Sequence, residues 1–431
     1  MYGRPGSVYI DIPGNLVLSS IDEDQLPKAA KVALPPPVSI PPLQIIRNAI
    51  DVIKNAHKPL VIVGKGQRKI PFNQMKCEDD IILAKIPRHN ALLDVIVACL
   101  EGLDQHDVSG AAWSERGPTM VQQFLTKSGL PWLATPGGKG ICTDNHPRFI
   151  ILIQLSVAPA RSFALRESDC VLLIGARLNW MLHFGHPPRF DKDVKIIQID
   201  ITGEEFHQNV PTTVPLLGDV GETLDTIISH LNEWKFPDDN KWMIDLRKNA
   251  EKNRSVVELM ASDHSIPLNY YAAYTPIRDY LSKNDVLVVN EGANTMDIGR
   301  TMMPSVLPRR RLDAGTFGDY NRMFSYRLPV VTVVLNNSGI YRGMSPEDMK
   351  AMDGDPTLVY PVLSLSAECR YDELCKALGG NGYFVRSVPE LKRALSLAFD
   401  KKDGPSLINV IISTDSERKA QAHAWLTRSK V

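Results

Sequence analysis

Short apolar runs that end in glycine or asparagine recur along this 431-residue chain, and most lead into stretches with helical spacing. LQIIRNAIDVIKNA places apolar residues at 43, 45, 46, 49, 50, 52, 53 and 56, the stripe of an amphipathic helix. KPLVIVGKG then reads as a buried strand ending in glycines, and LPWLATPGGKG, SDCVLLIGARLNW, VKIIQIDI and VPLLGDV supply four more strand-sized runs. The last leads into the helix GETLDTIISHLNEW. Uninterrupted apolar strands alternating with helices predict an α/β fold, a parallel sheet covered on both faces. Residues 43–234 are therefore expected to form a Rossmann-like central domain.

A second α/β unit is expected over 262–431. It has NYYAAYTPIRDYL as helix, DVLVVNEG as strand, NTMDIGRTMM as helix, and then the strand VVTVVLNN. The helix YDELCKALGG, the short strand YFV, the helix PELKRALSLAFDK and the strand PSLINVIIS follow. Between 33 and 42, ALPPPVSIPP excludes regular helix and central strand, because each proline fixes φ and removes a donor. That stretch reads as an interdomain linker. Within 1–32 the pattern shows only VYIDIPGNLVL, a strand and a turn, like the tail end of a domain. No period of 20 to 50 residues recurs, which argues against a solenoid.

Composition narrows the classes. Hydrophobic residues make up 44%, enough for a large core, and 49 basic residues balance 49 acidic ones. Zero formal charge gives no field favouring nucleic acid or an anionic membrane. The apolar runs are far shorter than the roughly 20 residues a membrane helix needs. No apolar h-region follows MYGRPGSVYIDIPG, so no secretory signal is expected. Cys77, Cys99, Cys142, Cys170, Cys369 and Cys375 form no CxxC pair and predict reduced thiols in a reducing compartment. Ser429-Lys430-Val431 differs from the peroxisomal Ser-Lys-Leu address only in its last apolar residue; the cytoplasm is the alternative.

In open parallel sheets, ligands lie beyond the carboxyl ends of the strands. Gly64-Lys65-Gly66, Gly175-Ala176-Arg177 and Asp200 each follow an apolar run. Glycine admits a phosphate close to the backbone, lysine and arginine neutralise it, and aspartate accepts from a ribose hydroxyl. Tight strand-to-helix turns with surface charges explain the same residues. In the second unit, Asn336-Asn337-Ser338-Gly339 has the parts of a magnesium diphosphate site, an amide oxygen and a main-chain carbonyl. An ordinary turn that ends a strand is the competing explanation. His183 and His186 have two-histidine spacing but no third ligand nearby, and no G-x-S-x-G elbow or Walker A pattern occurs.

RPGSVYIDIPGNLVL, KPLVIVGKG, LPWLATPGGKGICTDNHP, GARLNWMLHFGHPPRF, NEGANTMDIGRTMMPSVLPRRRLDAGTFG, LNNSGIYRG and RKAQAHAWLTR together resemble the 2-hydroxyacyl-CoA lyases, relatives of the oxalyl-CoA decarboxylases among thiamine-diphosphate-dependent enzymes. The resemblance implies a pyrimidine-binding domain, a central nucleotide-binding-like domain and a diphosphate-binding domain, in a homodimer or homotetramer whose active sites are shared by two chains. It implies cleavage of the C1–C2 bond of a 2-hydroxyacyl-CoA to formyl-CoA and an aldehyde one carbon shorter, as in fatty acid alpha-oxidation. Thiamine diphosphate and Mg²⁺ are the implied cofactors, with Asn337 and the Gly339 carbonyl as metal ligands. Gly292, Ala293 and Asn294, with Gly315, Thr316, Phe317 and Ser338, match cofactor contacts. Asn294 and Asp297 also have capping-box spacing. Arg4, Lys65, Arg177 and Asp200 match an ADP site of the oxalyl-CoA branch, and Arg418 and Lys419 match a segment that closes over the CoA of the acyl-CoA substrate.

The chain also departs from that pattern. By the resemblance it is expected to start at the end of the pyrimidine-binding domain, without a counterpart of the family's catalytic glutamate and with Glu291 in the wrong domain to replace it. The metal's aspartate has no good match, since Asp319 stands too close to Asn337 and follows no strand. Residues 67–118 and 150–156 look like insertions, and a core strand before Asn337 has no counterpart. A truncated, internally deleted member is expected, with oxalyl-CoA decarboxylase as the alternative activity. A catalytically inactive remnant that binds nucleotide or oligomerises is the alternative of another class.

Overall fold

The computed structural model describes residues 38–64, 116–142, 159–290, 292–308, 310–313, 324, 327–339, 346–360 and 364–414. Arg4, Lys65, Glu291, Gly315, Thr316, Phe317, Asp319, Arg418 and Lys419 lie outside them, as do the strand within 1–32, nearly all of the 67–118 segment, and 150–156.

Five apolar runs form one parallel sheet. Its strands are β1 (Pro59–Val63), β2 (Trp132–Ala134), β3 (Cys170–Ile174), β4 (Lys195–Asp200) and β5 (Val214–Leu217). The order is β2-β1-β3-β4-β5, with Val63 opposite Ile174 and Ile174 opposite Ile199. Every residue of β1, β2 and β3 is buried, as a sheet covered on both faces requires. Helix α1 (Leu43–Lys54) buries Ile46, Ala49, Ile50 and Ile53, the i, i+3, i+4, i+7 set of one face. Helices α2 (Gly117–Ser128), α3 (Pro159–Glu167) and α4 (Val220–His230) complete the covering layers. The Asp219 side chain caps α4, accepting the Glu222 N–H at 3.1 Å.

The longest helix, α5 (Lys241–Ser262), lies in the interval between the two predicted domains. Trp242, Met243 and Leu246 pack into the first core, and Trp242 Nε1 donates to the Pro59 carbonyl at 2.9 Å. Val257 and Ala261, near its other end, belong to a second core with Leu268, Tyr271 and Ile408.

That second core lies in the other α/β unit. Among the described residues its strands form two separate parallel sheets. One pairs β6 (Val288–Asn290) with β7 (Arg311–Asp313); the other orders β8 (Val331–Asn336), β9 (Asn381–Val385) and β10 (Ser406–Ile411) as β8-β10-β9. Helices α6 (Tyr270–Leu281), α7 (Ala293–Met302), α8 (Pro346–Ala351), α9 (Pro356–Val359), α10 (Tyr371–Ala377) and α11 (Val388–Asp400) accompany them. The run DVLVVNEG contributes a strand of only three residues, and Leu287 and Val289 are exposed.

The two units meet at the turn after β2. Lys139 is buried, and its ammonium donates to the carbonyls of Arg300 at 3.0 Å and Met303 at 3.4 Å, at the carboxyl end of α7. A cation there satisfies terminal carbonyls and complements the helix dipole. Beside it Gly140 has φ 84°, and a Cβ there would lie 2.0 Å from the Leu307 carbonyl oxygen. Only glycine fits that approach.

Candidate functional site

Strand β8 delivers the Asn-Asn-Ser-Gly sequence to its carboxyl end. Asn336 Oδ1 accepts the Ser338 N–H at 3.0 Å, and Asn337 Oδ1 accepts the Gly339 N–H at 3.2 Å. These two overlapping Asx turns explain the left-handed Ser338, at φ 58°. The segment after α9 locks the turn from outside. Leu365 N donates to the Ser338 carbonyl at 3.1 Å, Glu368 N to Ser338 Oγ at 2.9 Å, and Gly339 bridges to Ser364.

The adjacent asparagines thus differ in duty. The Asn336 amide turns inward and donates to the Cys369 carbonyl and to Asn409. Asn337 is buried at the tip of the turn. An amide oxygen has two lone pairs, so Asn337 Oδ1 can hold the Gly339 N–H and still face a cation. The Gly339 carbonyl is a second hard oxygen of the same turn, and oxygens of this type suit Mg²⁺ completed by phosphate and water. Among the described residues no three His, Cys, Asp or Glu side chains are placed to hold a metal, His183 and His186 included.

Gly292, Ala293 and Asn294 stand just beyond the carboxyl end of β6. Here the structure corrects the capping-box reading. Helix α7 begins at Ala293 with Gly292 as its N-cap at φ 90°, so Asn294 is the second helical residue rather than the cap. A glycine in that backbone region sets the helix start, and Asp297 instead pairs with Arg300 at 2.9 Å. Asn294 itself is buried.

In the first unit, β1, β3 and β4 are neighbours, so Gly64, Arg177 and Asp200 lie along one carboxyl edge of the sheet. Arg177 pairs with Glu205 at 3.3 Å, and Asp200 Oδ1 accepts the Thr202 N–H at 2.9 Å. The structure gives Gly64 a different cause from a close phosphate. A Cβ there would sit 2.0 Å from the Gly175 carbonyl oxygen, so the adjacent strand's backbone demands the glycine.

Sequence patterning did not single out the cationic group behind GARLNWMLHFG. Arg161 is buried on α3 and donates to the Met181 carbonyl, while Arg189 Nη1 donates to Ser162 Oγ at 3.0 Å. Burial, with Arg189 and Arg300 nearby, pushes Arg161 down to about 10. Burial, with Arg161 and Arg189 alongside, pushes the His183 imidazole down to about 4. The polar chain of Asn409, Asp372 and Arg370 behind Asn336 escaped as well. Arg370 and Asp372 are sequence neighbours, but Asn409 and Asn336 join them only in three dimensions.

Residues 108–227 match the family model described as thiamine pyrophosphate enzyme, central domain, and residues 314–410 match the thiamine pyrophosphate enzyme C-terminal TPP binding domain. The chain is 34% identical to 2-hydroxyacyl-CoA lyase 1 of Homo sapiens, over 100% of this chain and 73% of that protein. It is 31% identical to oxalyl-CoA decarboxylase of Escherichia coli K12, over 95% of this chain and 68% of the relative. The 2-hydroxyacyl-CoA lyase of Arabidopsis thaliana is 30% identical, over 95% of this chain and 70% of its own length.

Proposed function

Because the chain belongs to the thiamine-pyrophosphate-dependent family that contains the 2-hydroxyacyl-CoA lyases and oxalyl-CoA decarboxylases, we propose that it is a lyase of 2-hydroxyacyl-CoA substrates. The reaction breaks the C1–C2 bond and yields formyl-CoA and an aldehyde one carbon shorter. The observation that carries this reading is the Asn336–Gly339 turn, folded at the carboxyl end of β8 inside the region matching a thiamine-pyrophosphate-binding domain.

In this proposal Asn337 Oδ1 and the Gly339 carbonyl would hold Mg²⁺, whose charge would offset that of the cofactor's diphosphate. Gly292, Ala293 and Asn294 take further cofactor contacts, joined by Gly315, Thr316 and Phe317 from the sequence. Bound thiamine diphosphate supplies the electron sink that no side chain provides. This chain's part would be to hold the diphosphate end and to fix the metal's position. Ser338 acts indirectly, since its hydroxyl accepts the Glu368 N–H and steadies the turn.

Arg418 and Lys419 would face the CoA. Arg177 and Asp200, with Arg4 and Lys65, would take a nucleotide such as ADP, whose phosphate must compete with Glu205 for Arg177. Assembly as a homodimer or homotetramer belongs to the same proposal.

The test supplies thiamine diphosphate and Mg²⁺ and compares a long-chain 2-hydroxyacyl-CoA with oxalyl-CoA. Formyl-CoA together with the shortened aldehyde supports the lyase. Formyl-CoA and CO₂ from oxalyl-CoA alone makes it a decarboxylase. No product from either, with no calorimetric binding of the cofactor, makes it an inactive remnant.

A further inference from the structure

A buried relay of hydrogen bonds runs from Arg370 to the backbone of the Asn336–Gly339 turn. Asp372 is fully buried at the start of α10 and is gripped by Arg370, Nε to Oδ1 at 3.0 Å and Nη2 to Oδ2 at 2.7 Å. The Arg370 guanidinium also lies over the Phe384 ring, 4.4 Å from its centroid. A carboxylate so held accepts hydrogen bonds and donates none. Asn409 must therefore turn its amide nitrogen towards Asp372, and Nδ2 lies 3.3 Å from Oδ1. The same nitrogen donates to the Cys369 carbonyl at 2.9 Å, which uses both of its hydrogens.

Asn409 Oδ1 is then left facing Asn336, whose Nδ2 donates to it at 3.2 Å and to Cys369 at 3.1 Å. Both hydrogens of that nitrogen are used too. Only Asn336 Oδ1 remains for the Ser338 N–H, at 3.0 Å. Reversing either amide would set oxygen against oxygen at Cys369 and break the next link. An unpaired buried polar atom keeps its desolvation cost uncompensated, which enforces one direction along the relay.

We propose that Asp372 is a positioning residue for the metal-binding turn: acting with the Cys369 carbonyl on Asn409, and through Asn409 on Asn336, it anchors both amides, and so holds Ser338 and Gly339 in the form that presents Asn337. The proposal rests on reading that turn as the Mg²⁺ site. Asp372 touches neither metal nor cofactor.

Two variants and two measurements test it. Asp372→Asn keeps the shape but loses the charge, so one of its two atoms facing Arg370 becomes an amide donor and the hold on Asn409 weakens. Arg370→Gln changes a half-exposed side chain and loosens the grip on Asp372 while leaving the core intact. In the cofactor-free chain, hydrogen–deuterium exchange in peptides containing Ser338 and Gly339 should rise about tenfold in Asp372→Asn and about threefold in Arg370→Gln. Exchange across β1 and β3 should stay unchanged. By calorimetry with saturating thiamine diphosphate, the Kd for Mg²⁺ should weaken by the same factors. Wild-type exchange at the turn, or an equal rise throughout the chain, would overturn the proposal. Should Asp372→Asn not fold, Arg370→Gln decides by the same readouts. Should the unsubstituted chain bind no Mg²⁺, the lyase reading fails, while the exchange result still decides whether Asp372 positions the turn.

Discussion

Asn336 and Asn337 are chemically identical neighbours whose replacement should give distinguishable phenotypes, one dominated by stability and one by binding. Asn337→Ala is expected to weaken Mg²⁺-dependent thiamine diphosphate binding at least tenfold by calorimetry, with little change in Tm. Asn336→Ala takes the donor from buried Asn409 Oδ1 and the acceptor from the Ser338 N–H, and should lower stability by about 1–3 kcal/mol in urea titration. His183 gives a pH prediction. Its folded pKa is depressed to about 4 from 6.5, so the unfolded chain takes up the proton first. Stability should be full above pH 6.5 and fall as pH drops from there towards 4. His183→Asn tolerates the left-handed backbone at φ 52° and should flatten that slope in melts at pH 7.5 and 5.0. The turn itself was legible in the sequence because Asn-Asn-Ser-Gly is contiguous and ends an apolar run. The relay behind it was not, because Asn336 meets Asn409 across 73 positions and Cys369 across 33. Spacing along a chain carries no record of such meetings.

Among the elements, those buried on both faces declared themselves. The strands β1 and β3 are unbroken apolar runs, and β4 and β10 are mostly apolar, as burial between two helical layers demands. Helix α5 did not, and its residues show why. Its buried set includes Asn253, while Ile244 and Leu259 are exposed, so the apolar stripe is blurred on both sides. The run at β6 misled in the other direction, since Leu287 and Val289 face outward and only three residues pair. Asp219→Ala should cost about 1 kcal/mol by removing the cap of α4. Gly64→Ala forces a methyl against the Gly175 carbonyl and should cost more than that cap, about 1–3 kcal/mol. Equilibrium denaturation of the two variants side by side checks the ranking.

At the scale of the whole molecule, the zero net charge leaves association to shape and apolar surface rather than to long-range steering. In the second unit the half-buried Val331, Val333 and Val334 of β8 and the exposed Val289 of β6 predict dye binding and poor solubility when the chain is expressed alone. A monodisperse product that binds no hydrophobic dye would contradict this. Lys139 and helix α5 tie the units together by separate routes, one through a buried ammonium and one through shared packing. Ala250→Pro, in the middle of α5, should split one calorimetric transition into two, because a proline inside a helix costs about 3 kcal/mol or more. That helix also governs how the protein can be dissected. The matched regions end at 227 and begin again at 314, which invites a cut between them. A cut before Lys241 strips Trp242 from the first half, and a cut after Ser262 strips Val257 and Ala261 from the second. Each half expressed without α5 loses one wall of its interior, so fragments for binding studies have to carry the same 22 residues twice.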